Sequence, residues 1–337
     1  MRGKKQQGIG NRKKKIIGLS LCTVVLSLCV SVQAQQQGKF SRIGFLTLLR
    51  DSDPLESVFL QALRDLGYED GRNIHIEYRR AAGNVEHLSK LADDLARTKV
   101  DLIVVRSTPV AHAAKNATTT IPIVMVGVAD PVRSGFVTSL AHPGGNITGM
   151  SNMMPELAGK RLELLREIHP KISHIAFLAY SPDPVHKIFV QDAQEAAERL
   201  KIQINPVIIA KVEEIEAVFS TIARDRAEAL IVQPLFISNL GQGQKIAQLA
   251  LKHRLSTVSD GIPFAEEGGL LFYGPDQKSM FQRAAVFVDK ILKGAKPSDL
   301  PVQQPTKFEL VINLKTAKQI GVIIPPIVLA RADKVIK

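Results

Sequence analysis

Four times in this chain an apolar run ends on an acid or a hydroxyl followed by proline: Asp53-Pro54, Ser107-Thr108-Pro109, Asp130-Pro131 and Asp183-Pro184. An oxygen side chain there can accept the free N–H groups of a helix, and proline at the first helical position costs nothing because its missing N–H has no intrahelical partner. Asp53-Pro54-Leu55-Glu56 even has the spacing of a capping box, with aspartate in the serine role. Capping alone accounts for these residues. A second role can be added to it, because caps at the carboxyl ends of parallel strands line the crevice in which open α/β sheets bind ligands. A hydroxyl cap leaves the positive helix terminus free, so Ser107 and Thr108 suit a carboxylate or phosphate. Asp130, Asp183 and Asp260 already place a negative charge and suit a cation or hydroxyls. A zwitterion needs both kinds.

A helix terminus contributes about 0.3 to 2 kcal/mol per charge, while micromolar binding requires about 8 kcal/mol. Apolar burial must supply the difference. Leu48, Leu49, Tyr180, Phe236, Phe264 and Tyr273 stand near expected strand ends, and Tyr180, beside Ser181-Pro182-Asp183, is the preferred contact. Thr47, closing the first strand, and Asn152, in the segment between the two halves, complete the candidate ligand-binding set.

Catalytic and metal patterns are lacking. The histidines at 75, 87, 112, 142, 169, 174, 186 and 253 show neither HxxxH nor HExxH spacing, there is no GxSxG elbow, and Gly241-Gln242-Gly243-Gln244-Lys245 has neither the spacing nor the Ser/Thr of a phosphate loop. The reading is a binding protein with no reaction, no metal and no cofactor.

The elements that must position these residues are legible as short β-branched runs alternating with longer amphipathic ones, the signature of βαβ units and a mainly parallel sheet. Strands are expected over 43–47, 74–78, 102–106 and 123–128. Leu55, Val58, Phe59, Ala62, Leu63 and Leu66 mark a helix that Gly67 ends, and Leu88, Leu91, Ala92 and Leu95 mark another over 85–96. From His174 the series repeats: strand 175–179, helix 184–200, strand 202–209, helix 213–223, then Ala-Glu-Ala-Leu-Ile-Val-Gln-Pro echoing Val-Asp-Leu-Ile-Val-Val-Arg-Ser. An offset of about 130 residues is far too long for a solenoid and reads as two similar lobes. Residues 141–156 are rich in turn formers and suit a passage between them. The tail adds a helix over 279–292 and a proline-punctuated stretch ending in a strand, so it crosses back and makes a hinge.

The first 34 residues are basic, then apolar from Ile16 to Val32, then Val32-Gln33-Ala34, which reads as an export signal cleaved after Ala34. It holds seven basic residues and no acids, so its removal takes the net charge from +12 to +5 and with it most of the case for a nucleic-acid partner. Cys22 and Cys29, the only two cysteines, leave with it. The remaining 303 residues exceed one small core.

Gly-Arg-Asn-Ile-His-Ile-Glu-Tyr-Arg-Arg-Ala-Ala-Gly-Asn at 71–84, the stretch from Ser107 to Val132, His-Pro-Gly-Gly-Asn-Ile-Thr-Gly-Met-Ser-Asn at 142–152, Gly-Lys-Arg-Leu-Glu-Leu-Leu-Arg-Glu-Ile at 159–168 and the stretch from Asp289 to Gly321 resemble the family of ABC-transporter substrate-binding proteins whose better-known members take up aromatic amino acids. The resemblance spans the whole mature chain. It implies a type I periplasmic-binding-protein fold: two α/β lobes, each with a central, mainly parallel sheet flanked by helices, joined by a multi-strand hinge. The first lobe would comprise 35–150 with 275–305, the second 151–274 with 306–337. Ser107 and Thr108 would meet a ligand carboxylate and Asp260, across the cleft, an ammonium. The implied function is a periplasmic receptor of an ABC importer, monomeric, closing on a small solute such as an amino acid and recognised by a membrane permease. The alternative is a periplasmic ligand-sensing module serving a signalling partner. A nucleotide-sugar transferase conflicts with the export signal, and a lacI-like repressor would carry a helix-turn-helix where this chain has that signal.

Overall fold

A computed structural model describes residues 40–153, 155–259 and 261–337 of the 337-residue chain. The export signal expected over 1–34 and the candidate Asp260 lie outside the described residues.

The first series folds as β1 (Ser41–Thr47), α1 (Pro54–Asp65), β2 (Ile74–Arg80), α2 (Leu88–Arg97), β3 (Leu102–Arg106), α3 (Thr108–Ala117), β4 (Ile123–Val128) and β5 (Ile147–Ser151). Its sheet is wholly parallel, in the order β2-β1-β3-β4-β5. The second series gives α4 (Ala158–Ile168), β6 (His174–Tyr180), α5 (His186–Leu200), β7 (Gln203–Ile209), α6 (Ile215–Arg224), β8 (Ala229–Val232), α7 (Pro234–Ser238), α8 (Gly243–Lys252), β9 (Ser256–Ser259), α9 (Ile262–Glu266) and β10 (Leu271–Pro275). The tail supplies α10 (Gln277–Leu292), β11 (Phe308–Asn313), α11 (Leu314–Ile320), α12 (Pro326–Leu329) and β12 (Lys334–Ile336). In the second sheet β7-β6-β8-β9-β10 repeats the order of the first, and β11, antiparallel to β10, extends it together with β12. Two α/β lobes built on mainly parallel sheets are therefore the architecture, as the repeat in the sequence implied.

Side chains that alternate across a strand are buried on both faces of the inner strands β1, β3 and β4, which is why these read as nearly continuous apolar runs, whereas the edge strand β2 is largely polar. Phe45, Val104 and Val126 pack under Phe59 and Leu63 of α1, while Leu46, Val105 and Met125 join the core on the opposite face. Helix α10 returns from the second sheet to this first face, setting Met280, Phe281, Ala284 and Val288 among the same residues.

Where the chain crosses between lobes, the crossing segments are hydrogen-bonded to neighbouring chain. Ser151 N–H donates to the Gln303 carbonyl and Gln303 N–H to the Gly149 carbonyl, each at 2.9 Å, while Asp276 N–H donates to the Lys307 carbonyl at 3.0 Å. Gly149 is required in this joint. Its φ is 132°, and a Cβ there would lie 2.2 Å from the Met125 carbonyl oxygen.

Two local expectations are corrected. Asp130 does not cap a helix begun by Pro131; residues 131–135 form turns instead. Asp130 Oδ1 accepts the Arg133 N–H at 2.9 Å, but Gly135, at φ 69°, leaves the helical region before a ladder can propagate. Likewise α5 begins at His186 rather than Pro184, with Val185 at the cap and no side-chain capping bond. Asp53 does cap α1, accepting the Glu56 N–H at 2.9 Å.

Candidate functional site

The carboxyl ends of β3, β4 and β8 and the N-termini of α3, α7 and α10 converge on a cavity of about 600 Å³ between the lobes, counting the space continuous with solvent. The first lobe contributes Arg106, Ser107, Thr108 and, from α10, Met280 and Phe281; the second contributes Asp183, Phe189, Leu235, Ser238 and Asn239; Asn152 stands at the crossing. Mainly apolar walls with a few polar groups are the make-up of small-molecule sites.

Ser107 is the cap residue of α3, yet its side chain makes no capping bond. Its backbone has φ 79° and ψ 159°, a conformation foreign to residues with a Cβ. Its Oγ is buried without a hydrogen-bond partner, and so are Ser238 Oγ and Asn239 Nδ2. All three residues line the same cavity, one from the first lobe and two from the second. Each such atom costs about 1–3 kcal/mol unless something satisfies it, so native structures rarely hold several together without cause. A polar ligand reaching both lobes would satisfy all three.

The neighbouring polar groups are already engaged and give the wall its shape. Thr108 Oγ1 accepts the Ala129 N–H at 3.0 Å, fixing the start of α3 to the end of β4. Asn152 Nδ2 donates to the Gly127 carbonyl at 2.8 Å. The Arg106 guanidinium pairs with Asp53 and lies 5.4 Å over the Phe281 ring, a cation–π contact that holds both at the wall. Asp183 is buried: Oδ2 accepts from Gln233 Nε2 at 2.7 Å and Oδ1 from Val185 N–H at 3.3 Å. Burial without a cationic neighbour pushes its carboxyl up to about 7.

Of the candidates read from the sequence, Ser107, Thr108, Asn152 and Asp183 stand together at this cavity. Thr47 is buried away from the wall, where Oγ1 accepts the Leu49 N–H at 3.2 Å. The preferred contact, Tyr180, is in the core: Phe236 meets its ring edge-on at 5.5 Å, a partner 56 positions away that strand-end reasoning does not anticipate. Tyr273 stacks on Phe308 at 6.3 Å across β10 and β11. Asp130 sits by Arg133 outside the cavity wall. Sequence reasoning missed Ser238 and Asn239, which lie at the end of α7 beyond β8, where the repeat offers no counterpart, since Pro234 stands in the place of Ser107. Among the described residues no group of three or more potential metal ligands is gathered, and no helix is long and apolar enough to cross a membrane.

Residues 53–336 match the family described as ABC transporter substrate binding protein. A tyrosine-binding protein of Clostridioides difficile (strain R20291) is 30% identical over 267 residues, covering 79% of this chain and 76% of that protein. An ABC domain from Streptococcus pneumonia, solved in complex with L-Trp, is 26% identical with a TM-score of 0.80, covering 88% of this chain and 100% of that one. The ligand-free, open structure of a substrate binding protein with adhesive properties from Clostridium difficile, at 27% identity and coverage of 88% and 99%, gives a lower TM-score of 0.64. The chain belongs to the ABC transporter substrate binding protein family, a family of receptors for small molecules and not of enzymes.

Proposed function

We propose that this protein is the extracytoplasmic receptor of an ABC importer and that it captures an amino acid, with an aromatic side chain, by closing its lobes. The observation that carries this reading is the convergence of Ser107 Oγ, Ser238 Oγ and Asn239 Nδ2, buried and unpartnered, on one interlobe cavity. Ser107 and the first turn of α3 offer donors to the ligand carboxylate. Asn239 and Ser238 bind from the other lobe, so full satisfaction comes only in the closed form. Phe189, Phe281, Met280 and Leu235 supply the apolar walls for a ring. The tyrosine-binding relative and the tryptophan complex support the ligand class.

A ligand that binds the closed pair more tightly shifts the hinge toward closure, and the closed surface is what a membrane permease reads. In this reading residues 1–34 direct export and are removed after Ala34, leaving the mature receptor in the periplasm. The lobes divide as 35–150 with 275–305 and 151–274 with 306–337; the packing of α10 on the first sheet and the place of β11 and β12 in the second support that division. The test is a thermal-shift screen of residues 35–337 against amino acids, nucleosides and sugars. Tyrosine or tryptophan should raise the melting temperature most; a shift with sugars alone would refute the ligand class.

A further inference from the structure

Two large apolar side chains stand far out of the protein: Ile323 is 86% exposed and Ile327 70%, while among the described residues no other exceeds half. They are four positions apart, within about 14 Å along the chain, so they form one patch and are not scattered singly. Their neighbours hold the patch rigid. Ile324 and Val328, each next in sequence, are buried in the core of the second lobe; Pro325 and Pro326 restrict the backbone between them; and α12 packs on α4. The isoleucines are thus presented on a fixed knob.

The charge around this knob has one sign. Residues 314–337 carry Lys315, Lys318, Arg331, Lys334 and Lys337 against a single acid, Asp333, whose Oδ2 is turned inward to accept the Leu310 N–H at 2.8 Å. Arg331 meets Glu167 of α4 and Lys334 meets Glu266 of α9 in surface ion pairs, and Lys315, Lys318 and Lys337 are exposed. Apolar points flanked by cations are complementary to an anionic bilayer, whose acyl boundary takes the apolar side chains and whose headgroup phosphates take the lysines. A second copy fits less well, because a two-fold contact sets the same patch against itself and brings lysines to face lysines.

We propose that the segment from α11 to the C-terminus is a docking surface for anionic phospholipid, with Ile323 and Ile327 entering the bilayer interface and the exposed lysines lying among the headgroups. No helix among the described residues is long and apolar enough to cross a membrane, so the contact is peripheral and reversible. In the receptor reading it keeps the protein beside a membrane permease. It does not depend on the ligand class, since none of these residues lines the interlobe cavity.

The experiment is co-sedimentation of residues 35–337 with vesicles of phosphatidylcholine alone or with phosphatidylglycerol as about one lipid in three. At about fivefold per basic residue near the surface, binding to the anionic vesicles should exceed binding to the neutral ones by about 10- to 100-fold at low salt, and high salt should erase most of the difference. Ile323→Ser with Ile327→Ser should lower binding to anionic vesicles by about tenfold or more. Lys315→Gln with Lys318→Gln should remove most of the preference for anionic lipid. Both double variants should keep the wild-type melting temperature, which separates lost docking from lost folding. Wild type that sediments with neither vesicle overturns the inference, as does an isoleucine double variant that binds like wild type. A concentration-dependent dimer, abolished by the isoleucine changes and formed without vesicle binding, overturns it in favour of a second copy. Titration of the same samples with L-tyrosine reports on the amino-acid reading separately: vesicle binding without tyrosine binding leaves this inference standing and removes that one.

Discussion

Arg133 Nη1 donates to Asp192 Oδ1 at 2.7 Å and so ties the turn after β4 in the first lobe to α5 in the second. Arg133 Nε lies 3.4 Å from Asp130 Oδ2, so the guanidinium bridges two acids, one from each lobe. Burial, with Asp130 and Asp192 nearby, pushes the Glu156 carboxyl up, against the pull of the Arg133 guanidinium. Asp130, which does not line the cavity, thus takes part in an interlobe contact through Arg133.

Opening the lobes must break this bridge, so Arg133→Met should favour the open form. The pair is partly solvated, with the arginine side chain 40% exposed, and such pairs contribute about 0.2–1 kcal/mol. The expected result is a ligand Kd raised by about 1.5- to 5-fold with fold stability near wild type. Titrations at low and high salt check it, because screening should shrink the difference between variant and wild type.

Ser107→Ala removes a buried hydroxyl that has no partner within the protein, so it should raise the thermal stability of the ligand-free protein while weakening amino-acid binding by about 10- to 100-fold, the loss expected for a hydrogen bond to a charged group. Ser107→Gly should raise the melting temperature further, since glycine adopts φ 79° without the strain of a Cβ. Calorimetry on the two variants separates the roles.

Asp183 should also shape stability against pH. Its folded value of about 7 lies above the ordinary carboxylate value of 3.8. Between those values the folded state holds a proton that the unfolded state has released, so the contribution is present below about pH 4 and is lost as pH rises to about 7. Asp183→Asn should therefore flatten the decline in stability between about pH 4 and 7, while giving up one of the two hydrogen bonds that the carboxyl oxygens accept. Chemical denaturation at the two pH values measures it.

Gly149→Ala places a methyl against the Met125 carbonyl and demands a φ of 132° from alanine. A loss of more than about 2 kcal/mol is expected, because backbone cannot yield as a flexible side chain can. The loss should appear in urea unfolding of the ligand-free protein.

The alternation of runs from Ile43 to Val128 and again from Ile175 to Val232 laid out β1 to β4 and β6 to β8, since parallel strands buried on two faces leave an apolar signature, whereas β5, inside the turn-rich 141–156, and the short β9 were not read. Asp53 was equally legible, because capping is local. Asp130-Pro131 has the same letters but no helix, and the difference lies in Gly135, five residues on. The site was read in part. Ser107, Thr108, Asn152 and Asp183 meet at the cavity because strand-end position is encoded locally, whereas the placing of Tyr180 depends on Phe236 and that of Tyr273 on Phe308, contacts set by the tertiary fold. Ser238 and Asn239 carry no motif of their own, and the register of the repeat sets Pro234, not them, against Ser107.

The most direct measurement is titration of residues 35–337 with L-tyrosine and L-tryptophan, wild type beside the double variant Ser107→Ala, Asn239→Leu. The account predicts saturable one-to-one binding at micromolar Kd or tighter with a negative heat-capacity change, and loss of about 100-fold or more in the variant while its fold persists. Wild type that ignores every amino acid, or a double variant that binds them undiminished, would contradict it.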